Sequence, residues 1–219
     1  MNKVSTLLIA SLFSTILVAQ NKTSSDHSAA AWMKNIPESE VIEWRRHIHQ
    51  NPELSYKEVN TSNYVADLLK SFGNIEVIRP TKTSVIGILK GSKPGKTVAF
   101  RADMDALPVQ EETGLEFSSK NNNVSNACGH DAHTAMLLGT AKTLSKMKND
   151  IKGTVYFVFQ HAEEEAPGGA QEIIESGALK DVQAFFGMHV LPNYPVGNVG
   201  ILPDAAASTT SDGFILTIN

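Results

Sequence analysis

Three short apolar runs in this chain finish on residues that carry chemistry rather than on turn residues. Ala99-Phe-Arg-Ala leads into Asp103 and Asp105, Tyr156-Phe-Val-Phe-Gln160 into Glu163, Glu164 and Glu165, and Ala184-Phe-Phe-Gly-Met into His189. Short apolar runs of this kind read as buried strands. Segments of helical period separate them, so the pattern describes an α/β sheet with polar residues gathered where strands end.

The remaining elements fit that frame. Ser39 to Gln50 reads as a helix, with Val41, Ile42, Trp44, Arg45 and Ile48 along one stripe and Asn51-Pro52 as its stop. A second helix is expected from about Tyr56 to Phe72, closed by Gly73. Strands are expected at Ile75–Ile78, Val85–Leu89, Thr97–Arg101, Thr154–Gln160 and Ala184–His189, with Pro80 and Gly91-Ser-Lys-Pro-Gly95 as separators. Helices are expected from about Asp131 to Met147 and near Gly169–Ser176. Strands that follow one another early in the chain make the sheet mixed rather than all-parallel. Residues 106–126 form a long loop, and loops of that length in compact domains are usually functional.

Both ends stand apart in composition. Lys3 precedes an apolar run from Leu7 to Ala19, followed by polar residues from Gln20 onward. That is the layout of a signal peptide over residues 1–20, too short for a comfortable membrane span, with residues 21–35 as a tether. Export follows as an expectation, to the periplasm or the medium, with no membrane partner after cleavage. The net charge of −4 contains no basic cluster, which argues against nucleic acid as a partner. Phe214-Ile-Leu-Thr-Ile218 starts a fresh strand after the small-residue stretch 205–211, as an opening strand of a second domain would.

The chain's one cysteine, Cys128, lies in Asn126-Ala-Cys-Gly-His-Asp-Ala-His133. A lone cysteine in an exported protein cannot close an internal disulfide, and left exposed it is open to oxidation. It is therefore either buried and inert or a metal ligand, and its Gly-His neighbours favour ligation. A thiolate, imidazoles and a glutamate together suit a borderline-soft divalent ion. Of adjacent glutamates, one can bind metal while its neighbour carries a proton. His189, weak alone, becomes a candidate ligand beside the other groups. His133, one turn after His130, reads as a supporting residue, His47 and His49 as structural, and His27 as part of the tether. Asp103 and Asp105 are either loop caps or groups that ligate metal or orient a ligand imidazole. No His-Glu-x-x-His, Gly-x-Ser-x-Gly or phosphate-binding loop is present, which excludes thermolysin-like proteases and those hydrolase and nucleotide classes.

These motifs resemble the M20 family of metallopeptidases, in its amidohydrolase branch of N-acyl-amino-acid amidohydrolases, hippurate hydrolases and auxin-conjugate hydrolases. The likeness runs through Arg45–Ser55, Arg101–Pro108, Ala127–His133, Phe159–Glu164 and Gly187–His189. It implies a zinc-exopeptidase-like catalytic domain over residues 36–207 and the start of a ferredoxin-like dimerisation domain over residues 208–219. It also implies Cys128, His130, Glu164 and His189 as ligands of two divalent ions, zinc or manganese, with cobalt also suitable. Glu163 would be the general base and Asp105 would orient a ligand, while Asp103 stands where other branches carry a ligand histidine. His161 and Asn126 depart from the usual proline and histidine, which points to substrate preference. The implied activity is hydrolysis of N-acyl amino acids, with a dipeptidase, a carboxypeptidase or an inactive metal-binding fragment as alternatives. The family's last ligand and a carbonyl-binding histidine lie downstream of this chain, so an active parent, a homodimer by resemblance, is expected to extend further than the 219 residues.

Overall fold

The structure is a computed structural model that describes residues 32–201. The signal segment, most of the tether with His27, residues 202–207 and the strand expected at 214–218 lie outside the described residues. The chain divides into units at residues 1–35 and 36–219, and the nine elements below belong to the second. Among the described residues no helix is long and apolar enough to cross a membrane.

The helices are α1 (Glu38–Gln50), α2 (Val59–Ser71), α3 (His130–Lys146) and α4 (Gly169–Glu175); the strands are β1 (Ile75–Ile78), β2 (Val85–Lys90), β3 (Lys93–Asp103), β4 (Lys152–Gln160) and β5 (Ala184–Gly187). The five strands form one sheet in the order β1-β2-β4-β3-β5. β1 with β2 and β2 with β4 pair antiparallel, whereas β3 runs parallel to both β4 and β5. The sheet is mixed, as the sequence indicates.

Alternation along the strands separates two cores. Val85 and Leu89 of β2 and Phe157 and Phe159 of β4 pack with Trp44, Val65, Leu69 and Leu138 of α1, α2 and α3. Ile86, Ile88, Ala99 and Val158 face the other way and pack with Ile173 of α4. Gly87 belongs on the first face because a Cβ there would sit 3.0 Å from Ile75 Cγ2 and 3.2 Å from Leu69 Cδ1. A missing side chain in the strand lets α2 lie close.

Three boundaries differ from expectation. The second helix starts at Val59 because Tyr56 has φ +63°, outside the helical region. The amino-terminal turn of that helix is capped by Glu53, whose carboxylate accepts the N–H groups of Asn60 at 3.2 Å and Thr61 at 2.8 Å. β3 begins at Lys93 within the glycine-rich separator, where its pairing to β4 shifts register before Thr97. β5 ends at Gly187, so His189 sits in the segment beyond the strand.

β3 passes to β4 through α3 on one face, and β4 passes to β5 through α4 on the other. Because β4 and β5 flank β3, the chain reverses direction across the sheet at the carboxyl end of β3. Crevices at such a switch point are the usual ligand sites of α/β sheets. Asp103 ends β3, the Glu163–Glu165 run and His189 follow the carboxyl ends of β4 and β5, and α3 starts at His130.

Candidate metal centre

His130 is the hub. Its ligating atoms group with those of Cys128 and His189, with those of Glu163 and Glu164, and with those of Asp103 and His133, each set lying within 4.8 Å. The ring is buried, and Nδ1 donates to the carbonyl oxygen of Asp105 at 2.8 Å. A carbonyl can only accept, so Nδ1 carries a proton and Nε2 is the nitrogen left to bind a metal ion once it is deprotonated. That Nε2 is buried without a hydrogen-bond partner, 3.7 Å from Glu164 Oε1 and 3.6 Å from Asp103 Oδ2.

His189 repeats the arrangement in an exposed position. Its Nδ1 donates to Val190 O at 2.7 Å, and its Nε2 faces the Cys128 sulfur at 3.4 Å. Two imidazoles with Nδ1 tied to carbonyls and Nε2 turned toward the Cys128–Glu164 cluster are oriented as metal ligands are.

The electrostatics favour a cation. Burial, then Glu164, Glu163 and Asp103, push the Cys128 thiol up to about 12. Burial and the neighbouring Glu164 also raise the Glu163 carboxyl. Burial opposes charge on His130, but Asp105 and Asp103 outweigh it and lift the pKa of the ring. Carboxylates and a thiol crowd one another here, and Arg101 pairs with Asp103 at 2.7 Å. The orphaned Nε2 of His130 and this excess of negative groups fit a divalent ion held by Cys128, His130, Glu163 or Glu164, and His189.

Asp103 and Asp105 do not project as free ligands. Asp103 Oδ1 accepts His133 Nδ1–H at 2.7 Å, and its backbone oxygen accepts the Thr134 hydroxyl at 2.7 Å. His133 Nε2 in turn accepts the Val190 N–H. His133 thus spends both nitrogens on holding Asp103 and the segment of His189, a supporting position as its sequence context suggests. Asp105 orients: Oδ2 accepts the Ser55 hydroxyl at 2.7 Å and the Glu164 N–H at 3.0 Å, and its carbonyl fixes His130. Gly129, at φ +90°, lets Val190 press against the start of α3, since a Cβ there would run into Val190 Cγ2.

His161 and Asn126 take partners outside the candidate ligand set. His161 is buried, with Nε2 3.1 Å from Glu172 Oε2 on α4, and Asn126 donates to Ile48 O at 3.3 Å. His49 is more than a core histidine. It bridges Asp131 at 2.9 Å and Glu111 at 3.0 Å, and Arg45 joins the same Asp131 oxygen at 2.6 Å. The long loop is thereby tied to α1. Sequence reading passed over Arg101, Ser55 and Glu111, whose partners lie two, 50 and 62 positions away.

The model of peptidase family M20/M25/M40 matches residues 99–211. An N-acyl-L-amino acid amidohydrolase of Geobacillus stearothermophilus is 53% identical over 164 residues, covering 75% of this chain and 44% of that protein. Thermostable carboxypeptidase 1 of Saccharolobus solfataricus is 53% identical over 159 residues, covering 72% and 40%. A Bacillus subtilis protein described as a dinuclear metal binding peptidase from the M20 family superposes with a TM-score of 0.70 at 44% identity, covering 77% of this chain and 45% of that one. The chain thus spans less than half the length of the relatives it matches.

Proposed function

The chain belongs to peptidase family M20/M25/M40, and from that membership we propose that its site is the catalytic centre of a metal-dependent amidohydrolase acting on N-acyl amino acids. One observation carries the reading. His130 and His189, each with Nδ1 held by a carbonyl, meet at the Cys128 thiol, and His130 also groups with Glu163 and Glu164, at the carboxyl ends of parallel strands. In this reading Cys128, His130, Glu164 and His189 hold two divalent ions, and Asp105 orients His130 and Glu164.

Divalent ions at such a site lower the pKa of water and polarise an amide carbonyl. The carboxylate of Glu163 accepts the proton of the attacking water and returns it to the departing nitrogen. Asp105 keeps His130 in the tautomer that leaves Nε2 available. The names of the relatives support this chemistry, and the dinuclear Bacillus protein supports the number of ions. Zinc and manganese both suit the donor set. The apolar amino-terminal segment supports export, and the resemblance supports a homodimer.

A second reading, a carboxypeptidase, draws on the equally similar Saccharolobus relative. The C-terminal residue of a peptide is itself an N-acyl amino acid, so the two readings differ in the size of the acyl group alone. Protein expressed from the complete reading frame decides between them when assayed on N-acetyl and N-benzoyl amino acids beside dipeptides and longer peptides, with bound metal counted in parallel. Glu163→Gln is expected to retain metal while turnover falls about 10²–10⁴-fold; Glu164→Gln is expected to lose metal. Hydrolysis of peptides alone favours the carboxypeptidase, and wild-type turnover in Glu163→Gln removes the assigned base.

A further inference from the structure

Glu58 is fully buried, and the chemistry proposed above does not use its carboxyl group. Its backbone starts α2, with Ser62 N–H donating to Glu58 O at 2.9 Å. Its side chain turns the other way, to the end of β4. There Oε1 accepts the backbone N–H of Ala162 at 2.7 Å and of Tyr56 at 3.0 Å, and Oε2 accepts the Thr83 hydroxyl at 3.1 Å. Burial raises the pKa of this carboxyl, and the hydrogen bonds from Ala162 and Thr83 act against the rise.

Ala162 immediately precedes Glu163 and has φ +45°. A left-handed backbone at alanine is unfavourable and persists where neighbouring structure imposes it. The far side of the same loop is held by Tyr56, itself at φ +63°, whose hydroxyl donates to Glu165 O at 3.4 Å and accepts the Gly168 N–H at 3.0 Å. Between these two ties, the Glu164 N–H donates to Asp105 at 3.0 Å. The acidic run is therefore bracketed on both sides by the segment that leads into α2.

We infer that Glu58 is a positioning residue: by accepting the Ala162 N–H it fixes the bend at which the chain leaves β4, and so aims Glu163 and Glu164. The catalytic half of this inference rests on the amidohydrolase reading, while the holding of the bend stands apart from it.

Two variants of the protein expressed from its complete reading frame separate geometry from charge. Glu58→Asp keeps the charge but withdraws the acceptor by one methylene. Glu58→Gln keeps the acceptor at full length, and its amide nitrogen can donate to Thr83. Both keep a polar group of similar size, and circular dichroism with thermal melting checks their folding. Glu58→Asp is expected to lower kcat about 10- to 100-fold on an N-acetyl amino acid, with KM changed less than about twofold, and to speed exchange of the Ala162 amide proton. Glu58→Gln is expected to keep kcat within about threefold of wild type and to leave that amide protected. Wild-type kcat and protection in Glu58→Asp overturn the inference, as does a Glu58→Gln as impaired as Glu58→Asp. Should the wild-type protein hydrolyse no N-acyl amino acid while Glu58→Asp still frees the Ala162 amide, the bend is held by Glu58 and the functional reading falls alone.

Discussion

The Nε2 atom of His133 accepts the backbone N–H of Val190 at 2.9 Å. Its Nδ1 donates to buried Asp103, which Arg101 holds from the other side. A chain of hydrogen bonds thus runs from the end of β3 to the residue after His189 and steadies a ligand candidate that lies beyond its strand.

Replacing His133 with alanine removes that tether and leaves Asp103 short of a partner. Losses of supporting groups around a metal commonly cost about 10–100-fold in affinity. Competition against a calibrated chelator is expected to show a fall in that range for His133→Ala, and an unchanged affinity would remove the tether from the account.

Gly129→Ala strikes the same segment from below. The residue has φ +90°, and its new Cβ would run into Val190. Strain at such a position costs about 1–3 kcal/mol, to be read from urea unfolding. Val190→Ala in the same chain removes the collision but not the φ cost, so the double variant is expected to recover part of the loss.

Metal uptake is expected to release protons. Without a cation the Cys128 thiol is pushed up to about 12, and ligation requires the thiolate. Apparent affinity is then expected to rise about tenfold per pH unit for that proton alone across neutral pH. Cys128→Ser removes this thiol and is expected to flatten the slope in chelator competition between pH 6 and 8. An equal slope in both proteins would take Cys128 out of the ligand set.

His49 gives a second pH dependence of opposite direction. Its hydrogen bond to Asp131 outweighs burial and, with Glu111, raises its pKa above the ordinary histidine value of 6.5. A raised pKa in the folded state contributes stability that is fully present below about 6.5 and is lost as pH rises through the folded value. The destabilisation caused by His49→Gln in urea unfolding is therefore expected to be largest at acidic pH and to shrink above neutrality. The opposite trend would mean that the ring is neutral in its network.

Local pattern was enough to find the strands that place the site, because apolar runs and turn residues are near-neighbour signals. It also singled out Cys128, His130, Glu163, Glu164 and His189, which the fold brings together at one edge of the sheet. Less visible was whatever depends on distant partners. Glu53 caps α2 across seven residues or more, and Tyr56 takes a left-handed backbone that delays the helix. Lys93 joins β3 because β4 offers it pairing, despite the glycines beside it. Glu58 looks like an ordinary surface acid in sequence; its partners at Thr83 and Ala162 lie 25 and 104 positions away. The carbonyls of Asp105 and Val190 that set the imidazole tautomers belong to the backbone, which sequence pattern does not display.

Cobalt(II) reports on the proposed ligands by spectroscopy, since a thiolate bound to it gives a charge-transfer band in the near ultraviolet. Titration of the metal-free protein with cobalt is expected to produce that band together with the visible transitions of a ligated ion, and Cys128→Ser is expected to lose the band. Cobalt that binds without a thiolate band, or a band that survives Cys128→Ser, would contradict a metal centre built on Cys128, His130, Glu164 and His189.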